Sequence, residues 1–268
     1  MRKAIDGLVL REMQSGDNDR RILILTSEEG KMWITAKGAK SVRSKYAAIS
    51  HLFSYANFEF YEKNGLKWLS GGSSNTVFSN LQGDLASFSL ASYVLQIADE
   101  ITGEDVPADE VLRATLNILY AIDKHLKPLP QIKAAYELFA MRVSGLMPDL
   151  SFCTTCQKRE FSGDEYLWLD VMNGNILCDE CLKKRSGGLP IPDTDSYETR
   201  NIFVPLDASA LDAVKYVSYA EIQRLLAFSF KSEHSLELLS RAAETFLLNH
   251  LERDFETLRF YNMIKDKK

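Results

Sequence analysis

Two CxxC pairs are the feature of this sequence that most restricts how the chain can fold. Cys153 and Cys156 form the first pair, Cys178 and Cys181 form the second, and 21 residues separate the pairs. Two residues between thiolates let both sulfurs of a pair approach one ion, and two such pairs supply the four-sulfur tetrahedron that zinc prefers. The spacing therefore predicts a structural Zn²⁺ site, because a shell of four thiolates leaves no position for a catalytic water.

Two alternatives to zinc stay open. A thiol oxidoreductase also uses CxxC, but its motif begins a helix after a strand in a βαβ unit. Here both pairs bracket one predicted hairpin, with strands at residues 166–169 and 175–177. An iron–sulfur cluster also takes thiolate ligands. In a reducing compartment, metal binding by these cysteines is favoured over disulfide formation.

The first 80 residues have the pattern of short β-strands. In one run, Trp33 lies on the face opposite Met32 and Ile34. An Asn-Gly pair at residues 64–65 is a strong hairpin signal. Five such strands in about 80 residues favour a small closed barrel such as an OB-fold. The predicted strands cover residues 4–12, 21–26, 31–37, 55–62 and 66–70.

The sequence changes character after Gly71-Gly72-Ser73-Ser74, which we expect to be a flexible join. Helical periodicity follows, with Asp84 as the cap of the first helix, and residues 187–205 are expected to be a proline-containing loop. We predict an α+β multidomain protein with an N-terminal OB-fold β-barrel and a C-terminal α-helical domain that carries a CxxC…CxxC zinc finger. The expected domains are residues 1–80 for the barrel, 81–149 and 186–268 for the helical domain, and 150–185 for the zinc-finger insert.

Positive charge is concentrated in the barrel segment. The whole chain has a net charge of −5, whereas residues 1–80 hold 12 Lys and Arg against 8 Asp and Glu. The segment from Lys31 to Lys45 contains five basic residues and no acidic one. A cationic groove with stacking aromatics is how many OB-folds bind single strands. The alternative is a solvated loop, and we expect most of the nine aromatic side chains in this segment to fill the core.

Catalytic motifs are missing from the sequence. The four histidines form no HExxH pattern, and neither a GxSxG nucleophile nor a phosphate-binding GxxxxGK[ST] loop occurs. His250 lies on an apolar helical stripe, where a packed histidine is expected. We therefore expect no enzymatic activity. Because no run approaches the roughly 18 apolar residues of a membrane span, we also expect a cytoplasmic protein with no membrane partner.

The order of these segments resembles the RecO family of bacterial recombination mediators. The basic residues 36–40 behind a β segment carry part of the resemblance, and residues 145–150, Gly-Leu-Met-Pro-Asp-Leu, directly before the first CxxC pair carry the most specific part. The resemblance implies a non-enzymatic role in recombinational DNA repair. It implies binding of single- and double-stranded DNA, annealing of complementary strands, and a location at repair sites in the nucleoid. It also implies that the protein acts with RecR to load RecA onto strands coated by SSB. The C-terminal tail of SSB is then expected to bind the helical region of this chain.

A zinc-containing protein–protein adaptor with incidental DNA affinity stays open as a second hypothesis beside the mediator.

The resemblance also suggests residues for the contacts of a mediator with DNA and SSB. Four cations of the helical part are candidates for the acidic SSB tail: Lys124, Lys127, Lys133 and Arg142. The leading DNA contacts are Lys37, Lys40 and Arg43, with Lys31, Lys45, Arg20 and Arg21 beside them.

Overall fold

The structure, a computed structural model, describes residues 2–41, 43–76, 78–161, 165–185 and 202–265. The chain divides into two compact units. Unit 1 comprises Met1–Leu126 and Phe255–Lys268, and unit 2 comprises Lys127–Asp254. Each unit contains both strands and helices. The domain boundaries expected from the sequence stay a prediction.

Five strands of unit 1 form a closed barrel, as the sequence predicts. Their order around the barrel is β1-β2-β3-β5-β4, and all neighbours are antiparallel except β3 and β5. The parallel contact that closes the barrel pairs Thr35 with Trp68. The strands are β1 (Arg2–Ser15), β2 (Asp19–Thr26), β3 (Lys31–Ala36), β4 (Tyr55–Lys63) and β5 (Leu66–Thr76).

Apolar side chains from all five strands fill the barrel. Alternate residues point inward along each strand, and burying a large aliphatic or aromatic side chain contributes about 1.5–3 kcal/mol. Apart from alanines, the strands contribute Val9, Ile22, Ile24, Met32, Ile34, Phe58, Phe60 and Leu69 to this core.

The glycines of the expected flexible join belong to strand β5. Gly72 pairs with Phe58 of β4 and has a φ of +155°. A Cβ at this position would lie 2.4 Å from the carbonyl oxygen of Asn57, so only glycine lets the two strands approach closely here. The expectation of a flexible join at residues 71–74 was wrong, because these residues continue the antiparallel pairing of β5 with β4. Glycine has no side chain, so the alternation that marks a strand in a sequence is lost at Gly71 and Gly72.

The described part of unit 1 also contains a 3₁₀ helix (Ala47–Ile49) and three α-helices: α1 (Leu85–Ile101), α2 (Asp109–Asp123) and α7 (Glu256–Ile264). The Asp84 carboxylate accepts a hydrogen bond from the backbone N–H of Ser87 at 3.0 Å, which confirms the predicted cap of α1. Helix α1 packs against both α2 and α7.

Unit 2 combines helices with a second sheet. Helix α3 (Leu129–Val143) packs against α5 (Ala208–Tyr219) and α6 (Glu233–Leu251). The sheet has the order β6-β8-β7-β9, and its antiparallel β7–β8 pair confirms the predicted hairpin. A short helix, α4 (Asp179–Arg185), follows β8 directly. The strands are β6 (Asp149–Cys153), β7 (Leu167–Asp170), β8 (Asn175–Cys178) and β9 (Phe203–Leu206).

Strand β9 occupies residues that the sequence predicts as loop. Val204 and Leu206 are buried, and Pro205 pairs in register with Trp168 of β7. Proline lacks a backbone N–H donor, but β9 is an edge strand, where proline is tolerated. The prediction was wrong for residues 203–205, and its residues 187–201 lie outside the described ranges.

Three of the cations expected to meet an acidic tail are bound within unit 2. Lys133 is fully buried, and its Nζ lies 3.0 Å from both carboxylate oxygens of Glu137 and 2.8 Å from Glu244 on α6. Arg142 and Lys127 donate to backbone carbonyl oxygens. Buried charges need such partners. The suggestion that Lys133 is open to an acidic tail was therefore wrong.

Candidate nucleic-acid interface and metal centre

Lys31, one of the predicted DNA contacts, is joined to helix α1. Its Nζ donates to the backbone oxygen of Asp99 at 2.6 Å and to the Asp99 carboxylate at 2.9 Å. Arg11 contacts the same carboxylate, whose side chain is only 5% exposed. Lys31 and Arg11 therefore hold the barrel to α1, and the charge of Lys31 faces a carboxylate.

Lys40 and Arg20 are also engaged by neighbouring groups. The Nζ of Lys40 donates to Gln14 at 3.2 Å and to the backbone oxygens of Gly16 and Asp17 at 3.1 Å, which uses all three ammonium donors. Arg20 donates to the Ser50 carbonyl oxygen at 3.1 Å and forms an ion pair with Glu12 at 3.3 Å. Both side chains fix turns of the barrel.

Two other predicted contacts lie over tryptophan rings on the outside of the barrel. The Arg21 guanidinium carbon is 4.7 Å from the ring centre of Trp33, and Lys37 Nζ is 4.7 Å from that of Trp68. Both cations are exposed, and both rings are half-buried. A cation–π contact leaves the N–H groups free to donate to another acceptor, so these pairs present positive charge beside a flat aromatic surface.

The last two predicted contacts are exposed as well. Lys45 Nζ lies 4.8 Å from the ring centre of Tyr46 and donates to the Ser70 carbonyl oxygen at 3.2 Å. Arg43 is exposed, and its guanidinium forms no ion pair with any residue in the described ranges. We call Arg21, Lys37, Arg43 and Lys45 the outer cations.

The partly exposed aromatic side chains of the barrel are the part of this surface that the sequence alone did not assign to it. Most of the nine aromatics in the first 80 residues are expected to fill the core, and Tyr46 packs against the barrel core in addition to the buried ones, whereas both tryptophans are partly exposed. The alternation in β3, which puts Trp33 opposite Met32, was the available signal. Four of the nine are buried, namely Phe53, Phe58, Phe60 and Phe78. The other five are at least partly exposed, namely Trp33, Tyr46, Tyr55, Tyr61 and Trp68.

The four cysteines converge on one point in unit 2, as their spacing predicts. Cys153 ends β6, Cys156 follows in the next turn, Cys178 ends β8, and Cys181 lies in α4. The four Sγ atoms all lie within 4.8 Å of one another, and those of Cys156 and Cys178 are 3.8 Å apart. A tetrahedron with metal–sulfur bonds of about 2.3 Å has edges of about 3.8 Å. The donor set and its spacing therefore fit one tetrahedral metal ion.

The protonation of the thiols is uneven. Burial acts to raise the pKa of Cys153, but hydrogen bonds from backbone N–H groups, including those of Cys156 and Cys178, outweigh it and lower the pKa to about 6. Burial raises the pKa of Cys181 to about 12. Metal ligation requires thiolates, so binding of an ion here would release protons, and its affinity would fall at low pH.

No other such cluster occurs in the described ranges. Within them, these cysteines form the one group of three or more His, Cys, Asp or Glu side chains placed to hold a metal. His250 is packed as expected, with Nε2 2.9 Å from the Val171 carbonyl oxygen and its ring against Phe246. Every helix in these ranges is too short or too polar to span a bilayer.

Comparison with known proteins places both units in one family. Residues 1–78 match the family described as "Recombination protein O N terminal", and residues 82–259 match "Recombination protein O C terminal". The protein named DNA repair protein RecO from Acetivibrio thermocellus is 24% identical over 95% of this chain and 94% of its own. Its namesake from Listeria monocytogenes is 29% identical over 88% of this chain and 91% of its own. That of Anaeromyxobacter dehalogenans is 32% identical over 71% and 74%. The chain therefore belongs to the RecO family of DNA repair and recombination proteins.

Proposed function

We propose that the protein is a recombination mediator that binds single- and double-stranded DNA through the outer cations of its barrel and anneals complementary single strands. The observation that carries the proposal is the set of exposed cations, three of which lie over aromatic rings. Annealing brings two phosphate backbones together without reading their sequence. Lys and Arg contacts to phosphate supply such sequence-independent affinity, and aromatic faces stack on bases of any sequence.

The seven cations suggested by the sequence divide into two roles in this proposal. Lys37, Arg43, Lys45 and Arg21 are the DNA contacts, because their positive groups are exposed. The other three stabilise the structure that carries these contacts: Lys40 and Arg20 hold turns of the barrel, and Lys31 holds β3 to α1.

We also propose that the four cysteines hold a structural Zn²⁺. The support is the agreement between their sulfur spacing and a zinc–thiolate tetrahedron. A redox centre needs one pair of thiols, whereas here two pairs from separate parts of the chain meet at one point. Bound zinc would join the end of β6 to β8 and α4, and thus stabilise the insert around the β7–β8 hairpin.

The partners follow from the family resemblance and form part of the same proposal. They are RecR, the C-terminal tail of SSB, and functionally RecA, which the protein helps to load onto SSB-coated strands in the cytoplasm at repair sites. The role is non-enzymatic. The competing adaptor hypothesis requires no DNA-binding surface, so a test of strand annealing distinguishes the adaptor from the mediator.

Fluorescence-monitored annealing of complementary oligonucleotides, bare and coated with SSB, tests the proposal. The variant is Lys37→Glu with Arg43→Glu, and Lys40 stays unchanged because it fixes a turn. A charge-matched control reverses Arg113 on α2 and Lys231, which precedes α6; both are exposed. We expect annealing by the parent and the control, and at least tenfold slower annealing by the variant. Absence of annealing by both the parent and the control would favour the adaptor hypothesis. Equal annealing rates of the parent, the control and the variant would mean that DNA binds at another surface.

A further inference from the structure

A polar cavity of about 140 Å³ lies in unit 1 beside β3 and the beginning of β5. This volume is well below the roughly 300–1,000 Å³ of sites that enclose a whole drug-sized ligand, so the cavity suits a single small ring. The side chains that define its chemistry are Arg21, Trp33, Leu66, Lys67, Glu104 and Asp105.

The acidic wall of the cavity is fixed by backbone contacts. The backbone of Glu104 forms isolated β-bridges with Gly30 and Lys31, and the backbone N–H of Lys31 donates to the Gly103 carbonyl oxygen at 3.2 Å. Gly30 has a φ of +60°, and a Cβ there would lie 2.4 Å from the Val106 carbonyl oxygen. Glycine therefore lets the acidic loop approach the β2–β3 turn, which holds its backbone beside the cavity that the exposed residues Glu104 and Asp105 line.

The mixed chemistry of the walls narrows the class of ligand. Glu104 and Asp105 disfavour a bare phosphate, while Arg21 and Lys67 disfavour a metal cation. A nucleotide carries groups that can bind both the acidic and the basic side chains of the cavity. Its base can stack on Trp33 or on the Arg21 guanidinium that lies over that ring, as bases do in single-strand complexes. Its phosphates can meet the cations, and its base edge can donate to the carboxylates.

We propose that this cavity binds one unstacked base of single-stranded DNA and prefers a base with an exocyclic amine. The proposal rests on the DNA-binding function proposed above and adds a base preference to it. Cytosine presents an N4 amino donor, which Asp and Glu accept, whereas thymine presents the O4 acceptor at the same edge. A carboxylate wall therefore attracts cytosine and repels thymine.

Fluorescence anisotropy with labelled oligo(dC), oligo(dT) and oligo(dU) of equal length tests the preference. All three are pyrimidine strands, and oligo(dU) separates the effect of the amine from that of the thymine methyl group. At one fixed salt concentration we expect oligo(dC) to bind about fivefold or more tightly than the other two, which should bind alike.

Two variants locate the effect. Glu104→Gln with Asp105→Asn supplies amides that both donate and accept, so the preference for oligo(dC) should disappear. A control, Asp17→Asn with Glu28→Gln, removes the same charge at exposed positions outside the cavity and should keep the preference. Trp33→Leu, with its melting temperature checked, should weaken binding of all three strands about tenfold.

The outcomes separate the two proposals. Equal binding of the three strands, or a preference that survives in the Glu104→Gln, Asp105→Asn variant, overturns the base site and leaves the DNA-binding surface standing. Failure of the parent to bind any strand at low salt overturns the proposed function itself.

Discussion

The division of the barrel cations into exposed and engaged side chains predicts a difference in salt dependence. Each phosphate neutralised on single-stranded DNA contributes about 0.7 to the slope of log affinity against log salt concentration. Neutralising Lys37, Arg43 and Lys45 together should therefore reduce the slope by about 2. Over the range from about 50 to 200 mM salt, this corresponds to a roughly sixteenfold smaller loss of affinity.

The engaged cations should behave differently. A phosphate contact by Lys40 would require its ammonium group to give up hydrogen bonds to Gln14, Gly16 and Asp17. Lys40→Gln should consequently leave the slope nearly unchanged and lower the melting temperature, because the turn loses its support. Lys37→Gln, its matched control, should lower the slope by about 0.7 and leave the melting temperature unchanged.

Anisotropy titrations of a labelled single strand at several salt concentrations, with thermal melts of the same samples, measure both quantities. The reasoning is refuted if Lys37→Gln and Lys40→Gln change the slope equally. It is also refuted if the triple variant keeps the slope of the parent, since the outer cations would then not contact phosphate.

Three further predictions concern stability. Lys133→Met should lower the free energy of unfolding by about 3–5 kcal/mol in urea titrations, because it removes the buried ammonium group that contacts the carboxylates of Glu137 and Glu244; a loss below about 1 kcal/mol would contradict a tight cluster. Cys178→Ser should lose bound zinc and expose the insert to limited proteolysis while DNA affinity is kept, and a variant that resists protease as the parent does would count against a structural metal. Burial acts to raise the pKa of Asp123, but the hydrogen bond from Lys124 and other contacts outweigh it and lower the pKa below its ordinary value. This carboxylate therefore stabilises the fold above the unfolded-state pKa of about 3.9, and the contribution is lost as the pH falls through the lower folded-state pKa. The melting temperature of Asp123→Asn should accordingly vary less with pH below about pH 4 than that of the parent.

The surface cations show where inference from sequence stops. The absence of acids between residues 31 and 45 is the sequence feature that favours this part of the barrel as a DNA-binding surface. Whether a lysine there is exposed depends on its neighbours in space. Lys31 meets Asp99, which is 68 residues away in the chain, and no local pattern signals that pair.

The glycine and proline positions show a second limit. Gly72 and Pro205 are typical of joins and loops, and both lie in strands. Gly72 is required by the close approach of the Asn57 carbonyl oxygen, and Pro205 is tolerated at a sheet edge. Pairing with a distant strand outweighed local preference at both positions.

The sequence by itself determined the features that depend on short spacings. The CxxC pairs identified the four cysteines that converge on one point, the alternation around Met32 and Ile34 indicated a barrel strand, and Asp84 marked the beginning of α1. These features follow from backbone geometry over a few residues. Only the tertiary structure decided which cations face outward and placed Glu104 beside the β2–β3 turn. Such contacts join residues far apart in the chain, and they exist only when the packed elements bring their side chains together.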